Sequence, residues 1–198
     1  MPLIILTGYP SSGKSTRAKQ LKELFEEKFN HDSYKGSRMA VEIISDESQG
    51  ISKSAYDASI EEKKARGNIM SAVERLLSKN SITIVDSLNY IKGYRYQLYC
   101  VARSLGTTHC VIQLATPIDY SRKINEKRGV EGYTDKIFEE LVSRYEEPNS
   151  ASRWDSPLFV VMQHLDGEIL PFDSIWEALV EKKAPPPNLA TAIVKSLI

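Results

Sequence analysis

The chain has 198 residues, of which 41% are hydrophobic and 26% charged, and its Lys+Arg and Asp+Glu counts are equal at 26 each. That length and composition suit one compact globular domain, alone or with a short appendage. The charge balance excludes an overall field that draws in nucleic acid or anionic membrane, so a polyanionic partner needs a local basic patch or a part of the protein outside this sequence.

Short apolar runs alternate with longer amphipathic segments, the pattern of an α/β protein with a parallel sheet. Leu3–Thr7 reads as a first strand, apolar on both faces and therefore central. It is far too short for a signal peptide or a membrane span, and no other segment qualifies, so no membrane contact is expected and the expected address is the cytosol or the nucleus. Ser15 to about Phe29 reads as a helix, with Ala18, Leu21, Leu24, Phe25 and Phe29 on one stripe. A polar loop at Asn30–Arg38 leads to a second strand, Ala40–Ser45, ending at Asp46. A Ser- and Gly-rich loop and a long helical pattern through Ile60, Ile69, Val73 and Leu77 come next, then a third strand, Ser81–Asp86. Tyr94–Leu105 reads as a helix closed by Gly106, and His109–Leu114 as a fourth strand. Asp119–Arg128 is a charged helix ended by Gly129, and Asp135–Glu147 a further helix capped by Thr134. Leu158–Met162 is a fifth strand and Ser174–Glu181 a last helix.

These elements fill a domain at residues 1–183. The proline-rich 184–188 reads as a stiff linker, and 189–198 as the start of a further helical region that the sequence does not continue. Cys100 and Cys110 have no metal-ligand spacing and read as reduced thiols, while His31, His109 and His164 are scattered and read as ordinary structure.

The chemistry sits between the first strand and the first helix. Gly8-Tyr9-Pro10-Ser11-Ser12-Gly13-Lys14-Ser15 matches the P-loop pattern, in the right strand–loop–helix context. Phosphate oxygens need converging backbone N–H groups; glycines at both ends permit the tight wrap, and the helix start adds its positive dipole end. Lys14 is placed for the β- and γ-phosphates of ATP, the Ser15 hydroxyl for Mg²⁺, and Thr16 for the α-phosphate.

Asp86, ending a buried strand, is the natural acidic partner of the magnesium shell, or else a cap for the following turn. Asp46 also ends a strand, on the crevice edge of a doubly wound sheet. There it is expected to accept a proton from an acceptor hydroxyl, position a water or contribute to the metal shell; its alternative is a solvated loop carboxylate. Phosphoryl transfer also needs cations around the departing group. Arg122 and Arg128 stand after the fourth strand, where nucleotide kinases keep a lid, although Asp119 and Lys123 in the same helix make a plain i,i+4 pair. Tyr90, Tyr94, Tyr96 and Tyr99 can stack on bases, but their spacing suits packing a helix onto the sheet.

At "LTGYPSSGKST", "VDSLNYIKGYRYQLYC" and "LATP" the sequence resembles the Elongator-associated P-loop ATPase family first known through killer-toxin insensitivity. That family is similar in turn to the kinase of seryl-tRNA(Sec). The resemblance covers nearly the whole chain. It implies a P-loop NTPase fold of the nucleotide-kinase type, with a mostly parallel five-stranded sheet and helices on both faces. It also implies ATP and Mg²⁺, tRNA as ligand and activator, and action on Elongator in wobble-uridine modification of tRNA. The family's nucleotide residues fall on Gly8, Gly13, Lys14, Ser15 and Thr16, and its acidic pair on Asp46 and Asp86. An arginine that the tRNA kinase carries just beyond the second strand is absent, with Gln49 nearby, and this departure favours hydrolysis over transfer. The family's tRNA-binding helical region lies beyond the end of this sequence. The expectation is a monomeric, tRNA-stimulated regulatory ATPase. A kinase acting on RNA or a small molecule and a non-hydrolysing nucleotide switch are the alternatives.

Overall fold

A computed structural model of the chain describes residues 2–77, 80–165 and 167–182. The expected linker at 184–188 and the helical start at 189–198 lie outside the described residues.

Five strands form a single parallel sheet: β1 (Leu3–Gly8), β2 (Ala40–Ser45), β3 (Ser81–Asp86), β4 (His109–Leu114) and β5 (Leu158–Val161), in the order β2-β3-β1-β4-β5. The wholly buried β1 is central, with Leu3 in register with Thr83 on one side and His109 on the other. Ser45 pairs with Asp86, so the ends of β2 and β3 are level and Asp46 begins one residue beyond.

Alternation along β1 sorts the two cores. Ile4 and Leu6 face α1 (Lys14–Asn30), whose Leu21, Phe25 and Phe29 pack there with Trp176 of α6 (Phe172–Trp176). Leu3 and Ile5 face α2 (Ser59–Leu76) and α3 (Lys92–Ser104) through Ile69, Val73 and Leu98. Because α1 leaves β1 on one face and α3 leaves β3 on the other, a crevice opens at the carboxyl edge between these strands.

The charged helix α4 (Ile118–Lys127) and the capped helix α5 (Asp135–Ser143) lie over that edge. Thr134 Oγ1 accepts the Ile137 N–H at 3.4 Å, the cap read from the sequence. The helix is four residues shorter than its apolar spacing predicts. The Glu146 N–H donates to the Tyr90 carbonyl at 3.0 Å instead of continuing the helical ladder, which brings the chain back against the β3–α3 loop. At the other end, α6 passes into a π-turn at Glu177–Glu181, where the sequence pattern predicts one continuous helix.

A buried polar network holds the β3–α3 loop. Arg95 is fully enclosed and donates to Asp155 at 2.8 Å and to the Asn89 carbonyl at 3.0 Å. Asn89 adopts φ 48° and donates from Nδ2 to the Leu6 carbonyl at 2.7 Å, fastening this loop to β1. None of the described helices is long and apolar enough to cross a membrane.

Candidate nucleotide site

The β1–α1 connection turns tightly because Ser12 N–H reaches the Tyr9 carbonyl at 3.3 Å and Ser11 sits at φ 57°. Glycine is required at both ends for different reasons. A Cβ on Gly8 would lie 2.8 Å from the Leu114 carbonyl oxygen, and Gly13 stands at φ 92° with the Gln163 side chain against it. The α1 amino end, with no acidic side chain in its first turn, therefore opens into the cleft as an anion site.

Lys14 lies back across the loop. Its ammonium donates to the carbonyls of Tyr9 at 2.6 Å and Gly8 at 3.0 Å, and to Ser12 Oγ at 3.3 Å. Burial pushes its pKa down to about 8, against the opposing pull of Asp86 and Asp46. The Ser15 hydroxyl donates to the Asp86 carboxylate, and burial raises the Asp86 pKa. Asp46 is raised by the same cause, while hydrogen bonds hold its charged form: Ser87 Oγ donates to Oδ1 and Tyr56 Oη to Oδ2, each at 2.6 Å.

These groups share one cleft of about 730 Å³. Its floor carries Lys14, Ser15, Asp46 and Asp86, and its far wall Lys53, Arg128 and Tyr133. Two segments meet across that wall. Lys53 donates to the Glu131 carbonyl, Lys136 pairs with Asp57 at 2.6 Å, and the Tyr56 and Tyr133 rings stand edge to face at 6.2 Å.

The expected residues thus separate. Ser11, Ser12, Gly13, Lys14, Ser15, Asp46, Asp86 and Arg128 line the cleft. Pro10 is buried in the loop, and Tyr9 lines a smaller pocket of about 240 Å³ with Gln113 and Tyr145. Thr16 is exposed beside the cleft rather than part of its lining. Arg122 stands apart, exposed, paired with Glu139 and lying over the Phe138 ring at 5.2 Å. Sequence reading passed over Lys53, Tyr56, Ser87 and Tyr133. Ser87 directly follows Asp86 in the quoted "VDSLNY" stretch, whereas Lys53, Tyr56 and Tyr133 belong to no motif, and only the fold brings 53–56 and 131–133 to the carboxylates.

Ser15 and Asp86 supply hard oxygen donors that suit a small divalent cation. Among the described residues no cluster of three His, Cys, Asp or Glu forms a cage.

A P-loop on the central strand of a parallel sheet, with acidic strand ends beside it, defines a nucleotide-binding P-loop protein of the kinase-like α/β class. A kinase structure, the adenosine phosphosulfate (APS) kinase CysC of Mycobacterium tuberculosis with AMPPNP and APS, shares the fold at TM-score 0.56 and 16% identity over 75% of this chain and 83% of that one. The chain belongs to the KTI12 family: the family model "Chromatin associated protein KTI12" matches residues 1–196. Protein kti12 of Schizosaccharomyces pombe is 49% identical over 193 residues, covering 98% of this chain and 68% of that protein. The crystal structure of Chaetomium thermophilum Kti12 in complex with ADP-AlF3 is similar at TM-score 0.78 and 43% identity, over 90% of this chain and all of that one. The chain spans about two thirds of the length of these curated relatives.

Proposed function

We propose that this chain binds ATP with Mg²⁺ and hydrolyses it, with tRNA stimulating turnover, as a regulator acting on Elongator in wobble-uridine modification. The observation that carries the catalytic part is the convergence of Lys14, Ser15, Asp86 and Asp46 on one cleft at the amino end of α1. The similar Kti12 structure with ADP-AlF3 supports the nucleotide. The tRNA and Elongator parts rest on the family resemblance, and the family description supports a nuclear address.

In this reading the loop N–H groups hold the phosphate oxygens, and Lys14 turns from the Gly8 and Tyr9 carbonyls to the β- and γ-phosphates. Ser15 and Asp86 would hold Mg²⁺, which when bound would supply positive charge to offset that of the phosphates. Asp46, oriented by Tyr56 and Ser87, accepts a hydrogen bond from the attacking water and aims it at the γ-phosphorus. The water–phosphorus bond forms as the bridging oxygen leaves with ADP, the proton released from the water passes to the Asp46 carboxylate, and Arg128 offsets the charge on the transferring group.

Transfer to a bound hydroxyl would use the same parts. The cleft supports this second reading only by its extent past Asp46 to Ile51 and Lys53. Asp46→Asn tests the role of the acid: kcat is expected to fall about 100-fold or more with KM within a few-fold. Turnover at the parent rate would remove Asp46 from the chemistry.

A further inference from the structure

We infer that Asn125 is a positioning residue, a brace that ties the P-loop to the far wall of the cleft and so sets the geometry of phosphoryl chemistry. This rests on the nucleotide reading above.

Asn125 lies near the end of α4, 5% exposed, and every polar atom of its side chain is used. Its Oδ1 accepts from Ser11 Oγ at 3.1 Å and from the Tyr133 N–H at 2.9 Å, while Nδ2 donates to the Tyr133 carbonyl at 2.7 Å. The amide orientation is thereby fixed, because exchanging its nitrogen and oxygen would face like against like at Tyr133. The Asn125 carbonyl also accepts the Arg128 N–H at 3.1 Å, closing the helix at the arginine of the cleft wall.

The returning chain is pressed onto this residue. A Cβ on Gly132 would stand 2.6 Å from the Asn125 carbonyl oxygen and 3.3 Å from Oδ1, so glycine is required for the approach. From Tyr133 the contact continues to the Tyr56 ring, and from the Tyr56 hydroxyl to Asp46. One side chain thus connects the phosphate cradle, the wall that carries Arg128 and Tyr133, and the support of Asp46. The cradle's backbone donors hold ground-state phosphates without this brace. The groups across the cleft matter when the γ-phosphoryl is in flight, and small misplacements there are costly.

The test compares Asn125→Ala with Gly132→Ala, which displaces the same loop while leaving Asn125 in place. Affinity is measured for Mg²⁺-ADP alone and with aluminium fluoride, a mimic of the transferring phosphoryl, beside steady-state ATP turnover. Both variants are expected to bind ADP within about 3-fold of the parent and to lose about 10-fold or more of the fluoroaluminate enhancement. Asn125→Asp keeps the acceptor but sets a carboxylate oxygen against the Tyr133 carbonyl, and should lose at least as much of the enhancement as Asn125→Ala. An unchanged enhancement, or an equal fall in both affinities, would overturn the brace. If Asn125→Ala fails to fold, Gly132→Ala decides alone. A parent chain without turnover sinks the hydrolysis reading yet leaves the enhancement to judge Asn125. A parent that binds ADP equally with and without fluoroaluminate overturns the inference as well.

Discussion

Lys14 rests with its ammonium against two backbone carbonyls and a serine, at the bend where a triphosphate is expected to lie. Replacing it by alanine should weaken ATP binding about 10- to 100-fold, since charge-assisted phosphate contacts are the strong ones. Unchanged affinity in a binding titration would defeat the phosphate cradle. His109 makes a separate claim, about stability. Its ring packs on Tyr99 at 4.9 Å, and burial lowers its pKa to about 4 from the usual 6.5. Between those values the unfolded chain binds more protons, so stability is full above pH 6.5 and declines as pH falls toward 4. The loss is at most on the order of 3 kcal/mol. His109→Phe keeps the ring and removes the proton, so melting temperature against pH should be flatter over this range; an equal slope would show that other groups carry it. Lys14 was legible because a motif prescribes it. His109 was not, because sequence shows a histidine at a strand start but not the aromatic wall beside it.

Among the elements, the β3–α3 loop depends on one buried ion pair. Asp155→Ala strands the fully enclosed Arg95 guanidinium and should cost about 3–5 kcal/mol in denaturant unfolding. The exposed pair between Lys28 and Asp173 is the contrast, and Asp173→Ala should leave the melting temperature within about 2 °C. Comparable losses would mean burial does not rank these pairs. The strands were readable because a parallel sheet buried on both faces demands predominantly apolar runs such as Leu3–Leu6 and Ile82–Val85, the latter broken only by Thr83. The end of α5 was not, because Glu146 leaves the helix for a carbonyl 56 residues earlier in the chain, beyond any local spacing. Arg95 was missed for a related reason: within "KGYRYQLY" it looks like a solvated charge, and only the arrival of Asp155 reveals it as core.

At the scale of the whole molecule, strand order sets Asp46 one residue beyond the level of Asp86 beside the P-loop, and the connection between α4 and α5 carries Arg128 and Tyr133 to the same cleft. The carboxylates and lysine were legible as strand ends and motif. The far wall was not, since Lys53–Glu131 and Asp57–Lys136 join segments about 80 residues apart. The family resemblance supplied tRNA and Elongator, which no side chain in the cleft encodes. Hydrolysis in this cleft is tested by following γ-³²P-ATP with and without bulk tRNA in the parent, Lys14→Ala and Asp46→Asn. Free phosphate is expected from the parent, increased by tRNA, and reduced about 100-fold or more in both variants. Equal release from all three, or label transferred to the RNA, would contradict hydrolysis in this cleft.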